Sequence, residues 1–203
     1  MQGQLWIVAA PSGGGKTSLI AEAVRVLDDV VESVSHTTRP ARPGEIEGVH
    51  YFFVPPERFQ AMIDADGFLE YAQVYGNFYG TPKAKVLQKL SEGVDVILEI
   101  DIQGAMKVKK AYEEGIFIFI LPPSMSVLRK RLTGRGTDSL ETIDMRLSHT
   151  LEELSYIEEY DYVVVNGELQ EAVDRVKAIV TAKHSRVTES IKQILLDSYK
   201  EGK

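Results

Sequence analysis

A glycine-rich segment near the start of the chain constrains the fold more than any other feature. It reads Ala10-Pro11-Ser12-Gly13-Gly14-Gly15-Lys16-Thr17, follows a short apolar run at 5–10 and opens an amphipathic pattern over 16–27. It matches the G-x-x-x-x-G-K-[ST] pattern of phosphate-binding loops except at its first position, where alanine replaces glycine. A buried strand, a glycine loop and a helix in this order predict an α/β protein with a parallel sheet.

The residues of this loop suit a nucleotide site. The glycines let backbone N–H groups turn toward phosphate oxygens, and the following helix adds its positive end. We expect Lys16 to reach the β- and γ-phosphates of ATP and the Thr17 hydroxyl to ligate Mg²⁺. The alternative is a plain glycine-rich turn. The predicted ATP-binding residues are Pro11, Ser12, Gly13, Gly14, Gly15, Lys16, Thr17 and Ser18.

Strands and helical patterns alternate through most of the remaining chain. Buried strands are predicted at 94–100, 116–121 and 162–165, and helices at 103–112, 126–132, 141–159 and from 168 onward, with an amphipathic helix and polar tail over 179–203. The segment 33–82 breaks this rhythm, because it is rich in Thr, Tyr, Phe, Gly and Pro with short alternating runs. We expect a small β-rich lobe there, and a mobile loop at 133–140.

Composition excludes several classes of protein. The chain has no cysteine, which rules out disulfides, thiolate zinc sites and a cysteine nucleophile. It has no apolar run long enough for a membrane span, and its N-terminus lacks the basic start and apolar core of a signal peptide. We therefore expect a cytoplasmic protein with no membrane partner.

The net charge of −7 argues against a nucleic-acid polymer as partner. This charge comes from one stretch, because residues 151–174 hold eight acids and no lysine or arginine. Without that stretch, 22 acids face 23 bases. The acidic balance therefore does not oppose the binding of small nucleotides by local lysines and arginines.

Several later motifs resemble those of guanylate kinases, in order and at the expected spacings between about residues 5 and 179. They are SHTTRPARPGE at 35–45, GVHYFF at 48–53, FLEYA at 68–72, GNFYGT at 76–81, EIDIQG at 99–104, and the lid arginines Arg131, Arg135 and Arg146. The resemblance implies phosphorylation of GMP by ATP on a P-loop kinase fold. In this α/β fold a central parallel sheet is flanked by helices, with an inserted β-rich nucleotide-binding lobe and a helical lid. The implied regions are a core at 1–33, 84–124 and 151–203, a GMP-binding lobe at 34–83 and a lid at 125–150.

The resemblance also implies which residues bind GMP. Arg39 and Arg42 hold its phosphate, since guanidinium groups bind phosphate oxygens in bidentate fashion, and Tyr51 and Tyr79 contact the same group. Glu70 accepts from N1–H and N2–H₂ of guanine, which adenine cannot offer. The hydroxyls of Ser35 and Thr81 complete that edge. The alternatives are a solvated basic loop, half-buried strand aromatics and a surface acid.

Asp101 and the lid arginines complete the predicted site. Asp101 follows the strand at 94–100, where it is expected to orient Mg²⁺-bound water, to contact the ribose or base of GMP, or to cap the next helix. The predicted catalytic residues are Lys16, Arg39, Arg131, Arg135 and Arg146, which supply positive charge to the transferring phosphoryl group. Asn166 and Gly167 border the adenine pocket by resemblance or form a plain turn.

Two rival functions remain open from the sequence. One is a non-catalytic guanylate-kinase-like module that binds proteins, although such modules typically degrade the phosphate loop that is intact here. The other is a P-loop kinase for AMP or dTMP, against which Glu70, Ser35 and Thr81 argue. We also expect a homodimer, because bacterial relatives are often homo-oligomers and the stretch 191–196 could pack on another subunit.

Overall fold

Strands and helices alternate along the chain, as the sequence predicts. The structure is a computed structural model that describes residues 2–74, 76–134, 139–187 and 189–201. In chain order its elements are β1 (Leu5–Ala9), α1 (Lys16–Val26), β2 (Val30–Glu32), β3 (His36–Thr37), β4 (Phe52–Phe53), α2 (Pro56–Asp64), β5 (Phe68–Val74), β6 (Asn77–Pro82), α3 (Lys83–Ser91), β7 (Asp95–Glu99), α4 (Ile102–Ala111), β8 (Ile116–Leu121), α5 (Met125–Gly134), α6 (Leu140–Leu154), β9 (Tyr162–Val165), α7 (Leu169–His184) and α8 (Glu189–Glu201).

The central sheet has five parallel strands in the order β2-β7-β1-β8-β9. Alternate side chains of β1 enter two separate hydrophobic layers. Trp6 and Val8 pack with α1 and α7, whereas Leu5, Ile7 and Ala9 pack with α3 and α4. Burial on both faces explains why β1 reads as a continuous apolar run. The predicted fold class is confirmed.

A second, mixed sheet forms the lobe between β2 and α3, in the order β4-β3-β6-β5. The prediction of a β-rich lobe missed α2 within it. Phe59 of α2 stacks on Phe68 of β5 at a ring-centroid distance of 4.5 Å, and this contact covers one face of the small sheet. The helix begins at Pro56, where proline suits the first turn because the N–H it lacks would have no partner within the helix.

Two helical segments differ from the sequence prediction: one ends early and the other is divided. The helix expected over 141–159 ends at Leu154, and a short 3₁₀ turn over Ile157–Glu159 follows. After the end of α6, Ile157 packs on the core layer of α3 and α4. The C-terminal helical stretch is divided into α7 and α8. None of the helices in the described part of the chain combines the length and apolar character that a membrane span requires.

The carboxyl ends of the parallel strands meet at one edge of the sheet, where α/β proteins bind ligands. The glycine loop follows β1 there, Glu99 and Asp101 end β7 and begin α4, and Asn166 follows β9. Helices α5 and α6 pack on each other through Leu128, Leu132, Ile143 and Leu147 and form the region that the sequence predicts as a lid. The fold thus places the glycine loop, Glu99, Asp101 and Asn166 at one edge of the central sheet.

At the opposite end of the strands, Asp95 links the sheet to the end of α7. Its buried carboxylate accepts from the indole N–H of Trp6 at 2.7 Å and from the backbone N–H of Gln4 at 2.8 Å, and lies 2.8 Å from Nε2 of His184.

Loss of the Asp95 carboxylate leaves buried donors unpaired, which costs about 1–3 kcal/mol for each group. We expect Asp95→Ala to lower the free energy of unfolding by about 3 kcal/mol and to leave kcat within twofold, measured by urea denaturation and a rate assay. Asp28→Ala, at an exposed position, is the control, and an equal loss in both variants would contradict the role of Asp95.

Candidate nucleotide site

The glycine loop connects β1 to α1 in the conformation that the sequence predicts. Gly13 and Gly15 have φ of 91° and 83°, in the left-handed region that favours glycine. The N–H of Gly14 donates to the Pro11 carbonyl at 2.9 Å, which tightens the turn. A Cβ on Gly15 would lie 2.5 Å from Nδ2 of Asn166, so a side chain would not fit here. The loop therefore brings its backbone to the N-terminus of α1, where N–H groups can bind an anion.

Lys16, the first residue of α1, directs its ammonium group toward the end of β7. Its Nζ donates to the Ile100 carbonyl at 2.5 Å and lies 3.9 Å from Oε1 of Glu99. The side chain is only 17% exposed. Burial lowers the pKa of Lys16 from its usual range, while the carboxylates of Glu99 and Asp101 oppose this effect. The acidic surroundings keep a buried cation at the position where phosphates would lie.

Thr17 and Glu99 form a pair of oxygen ligands beside this lysine. The Thr17 hydroxyl donates to Oε1 of Glu99 at 2.7 Å. Oxygen donors of this kind suit Mg²⁺, which is usually held by one or two protein ligands together with phosphates and water. Among the described residues no group of three acidic or histidine side chains is arranged to hold a metal by itself. The pair thus fits a metal ion that arrives with a nucleotide. Ser18, also predicted to bind ATP, lies in the exposed first turn of α1.

Glu70 and Thr81 face each other across β5 and β6. Both are buried, with 6% and 0% exposure, and the Thr81 hydroxyl donates to Oε1 of Glu70 at 2.8 Å. Burial raises the pKa of Glu70 to about 7, although the bond from Thr81 lowers it in part. Ser35 lies just before β3, half-buried, and its carbonyl accepts from the Phe52 N–H at 2.8 Å. A buried carboxyl of this kind can accept two parallel N–H donors from a flat ligand.

Asp101 caps α4, as one of its predicted roles requires. Its Oδ1 accepts from the Gly104 N–H at 2.7 Å. The carboxyl group of Glu70 also reaches this turn, because a Cβ on Gly104 would lie 2.8 Å from Oε2 of Glu70 and 3.2 Å from Oδ1 of Asp101. The glycine thus permits two carboxylates, one from the lobe and one from the core, to approach the same helix start.

Arg39, Tyr51 and Tyr79 converge on the other side of the lobe. The guanidinium of Arg39 donates to Glu45 at 2.8 Å and lies 5.5 Å from the ring centre of Tyr51, which in turn is 5.9 Å from that of Tyr79. Burial raises the pKa of Tyr51 to about 12, and the Glu99 carboxylate adds to this. Arg42 is exposed and contacts Glu45 through its backbone: its N–H donates to the Glu45 carboxylate at 2.7 Å, and its carbonyl accepts from the Glu45 N–H at 3.0 Å. The structure therefore brings together Arg39 and the two tyrosines, whereas the Arg42 side chain points to solvent.

Two lid arginines contact the phosphate loop. Nη2 of Arg131 donates to the Asn166 carbonyl at 2.9 Å, and Nη1 reaches the Gly14 carbonyl at 3.4 Å. Nη1 of Arg146 lies 3.4 Å from the Ser12 hydroxyl. Arg135, predicted to be catalytic, lies outside the described residues. The lid thus places two guanidinium groups at the edge of the loop where the phosphates of a nucleotide would emerge.

Sequence reasoning gave no role to Glu99 and Glu45, which the structure places in the site, and it placed Asn166 beside the adenine pocket only by resemblance. Glu99 bonds Thr17, Glu45 bonds Arg39, and the Asn166 amide donates to the Gly14 carbonyl at 2.9 Å. Glu99 precedes Asp101 by two residues, so both side chains leave the same face of the chain near the end of β7. That spacing is the signal from which Glu99 could have been found. The bond from Asn166 to Gly14 joins residues 152 positions apart, so no local pattern predicts that partner.

Comparisons with known proteins agree with this geometry. A family model described as guanylate kinase matches residues 2–183. The chain is 50% identical to a guanylate kinase of Caldanaerobacter subterraneus subsp. tengcongensis, covering 92% of this chain and 90% of that protein. It is 51% identical to one of Desulfitobacterium hafniense, covering 91% and 92%. The crystal structure of a guanylate kinase from Anaplasma phagocytophilum superposes with a TM-score of 0.77 at 35% identity, covering 92% of this chain and 88% of that one.

Proposed function

The chain belongs to the guanylate kinase family, and on this premise we propose how its residues transfer the γ-phosphoryl group of ATP to GMP. The observation that carries the proposal is the buried Glu70 carboxyl, held by Thr81 and open to a ligand with two adjacent donors. Guanine presents N1–H and N2–H₂ side by side, whereas adenine presents an acceptor at N1. A buried carboxylate that would lose its partners rejects the wrong base strongly.

On the donor side, the glycine loop and the α1 N-terminus bind the phosphates of ATP. Lys16 leaves the Ile100 carbonyl to bind the β- and γ-phosphate oxygens, because a charged oxygen is a better partner for an ammonium group than a carbonyl. Thr17 and Glu99 are the residues that would hold Mg²⁺. When bound, the ion would supply positive charge that neutralises the phosphates.

On the acceptor side, the lobe binds both ends of GMP. Glu70, Thr81 and Ser35 bind the guanine edge, and Asp101 lies beside it. Arg39, Tyr51 and Tyr79 bind the phosphate, with Arg42 turning in from solvent. Glu45 holds Arg39 until the phosphate arrives, since a carboxylate and a phosphate offer the guanidinium group the same pair of oxygens.

The transfer itself requires positioning and charge neutralisation more than proton transfer. An oxygen of the GMP phosphate attacks the γ-phosphorus, and the bond from that phosphorus to the β–γ bridging oxygen breaks. ADP and GDP result. No general base is needed, because the attacking oxygen is already anionic. Arg131, Arg146 and Arg135 supply positive charge from the lid, and closure of the lid excludes water as a competing acceptor.

A coupled assay of ADP release tests this function. The expected result is rapid turnover with ATP and GMP, turnover with AMP or dTMP lower by about 10³-fold or more, and little ATP hydrolysis without an acceptor. Comparable rates with AMP or dTMP would contradict the guanine assignment of Glu70, Ser35 and Thr81. Removal of Mg²⁺ with a chelator is expected to abolish turnover and to leave GMP binding in place, as followed by calorimetry.

The two rival functions are not favoured. A non-catalytic module would not need Lys16, Thr17 and the lid arginines in contact with an intact phosphate loop, and the relatives that match nine tenths of the chain carry the name guanylate kinase. The homodimer and the three-region division into core, lobe and lid stay predictions. Analytical ultracentrifugation measures the first, and limited proteolysis with and without nucleotides the second.

A further inference from the structure

The small sheet of the lobe has two faces, and a histidine lies behind the one that the proposed function assigns to GMP. Ser35 and Tyr51, both proposed to bind GMP, lead into β3 and β4. The next residues, His36 and Phe52, are paired across these two strands. Because side chains alternate along an extended chain, His36 and Phe52 lie on the opposite face from Ser35 and Tyr51. His36 is therefore outside the proposed site and adjacent to it through the backbone.

His36 is buried in an aromatic layer, with 8% exposure. Its ring stacks on Phe52 at a centroid distance of 4.8 Å and meets Phe68 edge-on at 5.9 Å. Phe68 belongs to β5 and reaches the histidine past Gly80 of β6, where a Cβ would lie 2.8 Å from the Phe68 ring. One imidazole thus packs against side chains from both β4 and β5.

This packing bears on the position of Tyr51. Strand β4 has only two residues and lies at an edge of the sheet, so few backbone bonds hold it. One of them runs from the Phe52 N–H to the Ser35 carbonyl at 2.8 Å. Tyr51 precedes Phe52 directly, with its ring 5.5 Å from the Arg39 guanidinium. The stack of His36 on Phe52 therefore helps to keep a phosphate-binding tyrosine beside its arginine.

The surroundings of His36 suit a neutral ring and oppose a charged one. Its Nδ1 is buried without a hydrogen-bond partner among the described residues. The charged groups around the ring are Lys85 of α3, Arg58 of α2 and Glu47 of the segment before β4. Burial lowers the pKa of His36, Lys85 and Arg58 lower it further, and Glu47 opposes them. Nζ of Lys85 already lies 4.2 Å from the centre of the Phe52 ring, so a protonated His36 would place a second cation beside that ring.

We propose that neutral His36 is a positioning residue for GMP, which holds β4 on β3 and Tyr51 beside Arg39, and that protonation of its ring releases β4 and weakens GMP binding. The buried imidazolium would have no partner for its new N–H, which makes the packed arrangement costly. The apparent affinity then falls with the fraction of molecules whose lobe is intact. By linkage, bound GMP must in turn oppose protonation of His36. This inference rests on the proposed function.

The first test follows the His36 ring of the wild-type chain by NMR through a pH titration, with and without GMP. We expect GMP to lower the pKa of His36, by about 0.5 if GMP binds the neutral form about threefold better. A simple electrostatic effect has the opposite sign, because an added phosphate anion favours the imidazolium. A pKa that GMP leaves unchanged or raises would overturn the proposal, as would a ring that does not titrate in the folded protein.

The second test measures the KM for GMP in the wild type and in His36→Phe, which keeps an aromatic ring in the layer and cannot be protonated. The two values are expected to agree within about twofold at pH 8. The ratio of wild type to variant is expected to rise about threefold or more at pH 5.5. Glu70 and the GMP phosphate titrate in both proteins, so this ratio isolates His36. A constant ratio would contradict the proposal.

Two further variants sharpen this comparison. Lys85→Met removes a cation that repels the imidazolium, so the pKa of His36 is expected to rise and the loss of affinity to begin at higher pH. His149→Gln, which removes an exposed histidine on α6, is the matched control and is expected to follow the wild type at each pH. An acid-induced rise of KM that disappears in His149→Gln instead of His36→Phe would assign the effect to the wrong histidine and overturn the proposal.

Failure of this inference is distinct from failure of the proposed function. If His36→Phe does not fold, judged by thermal denaturation, the wild-type NMR titration and Lys85→Met carry the test. A wild type that neither binds nor phosphorylates GMP at pH 8 would contradict the function itself. A wild type that does both, with a pKa of His36 that does not respond to GMP, would contradict only the role of His36.

Discussion

Lys16→Met is expected to lower kcat by about 10³-fold, the scale seen when one preorganised cationic or hydrogen-bonding group is removed from a phosphoryl-transfer site. In the structure its ammonium group lies between the phosphate loop and the end of β7, with the Ile100 carbonyl as its partner. Methionine has a similar length and no charge, so it fills the same space without binding phosphate. Because burial already disfavours the charged form of Lys16, the variant is expected to fold with at least wild-type stability.

The measurements are the rate of ADP release under saturating ATP and GMP and the melting temperature followed by circular dichroism. Lys130→Met, at an exposed position on the lid helix α5, is the control and is expected to keep kcat within twofold. Full activity in Lys16→Met would contradict the phosphate-loop assignment. A loss of activity accompanied by a large drop in melting temperature would instead assign Lys16 a structural role.

Most of the fold could be predicted from local patterns. The continuous apolar run at 5–10 is typical of a strand that is buried on both faces. The apolar residues that follow Lys16 recur with the period of a helix. The sequence alone therefore reveals both elements. Helix α2 was missed because its Phe59 and Met62 lie within a segment rich in Phe, Tyr and Pro, whose aromatic residues are typical of strands. The early end of α6 was missed because it depends on Ile157 packing on a distant layer of the core.

Local sequence likewise predicted some features of the candidate site and not others. Motifs predicted the identity of Glu70, Thr81 and Arg39, because these residues lie in continuous stretches of recognisable sequence. The partners of those residues depend on tertiary packing. Glu99 meets Thr17 across 82 residues of chain and Asn166 meets Gly14 across 152, and no local pattern encodes such a distance.

Glu70→Gln is expected to lower kcat/KM for GMP by about 10³-fold, since the site loses a charged acceptor for two N–H donors. The amide presents one donor to guanine N1–H, where the carboxylate presented an acceptor. The same amide pairs acceptably with adenine, whose N1 accepts and whose N6 amino group donates, so the preference for GMP over AMP is expected to narrow as well. Glu57→Gln, on the exposed side of α2 in the same lobe, is the control and is expected to change neither rate.

The pH dependence of this variant separates recognition from stability. In the wild type the folded-state pKa of Glu70 is about 7, above the ordinary value of 4.5, so between these values the folded protein binds a proton that the unfolded chain does not. The contribution of Glu70 to stability is therefore present at low pH and is lost as pH rises through this window. Glu70→Gln lacks this titration, and its melting temperature without nucleotide is expected to exceed that of the wild type at pH 8 and to approach it at pH 5.

GMP binding has the opposite requirement, because only the ionised Glu70 carboxylate accepts from both guanine donors. The KM of the wild type for GMP is thus expected to rise as pH falls below 7, and that of Glu70→Gln to rise less, since only the protonation of the GMP phosphate and of His36 remains. The same rise of KM in both proteins would exclude Glu70 as the guanine acceptor.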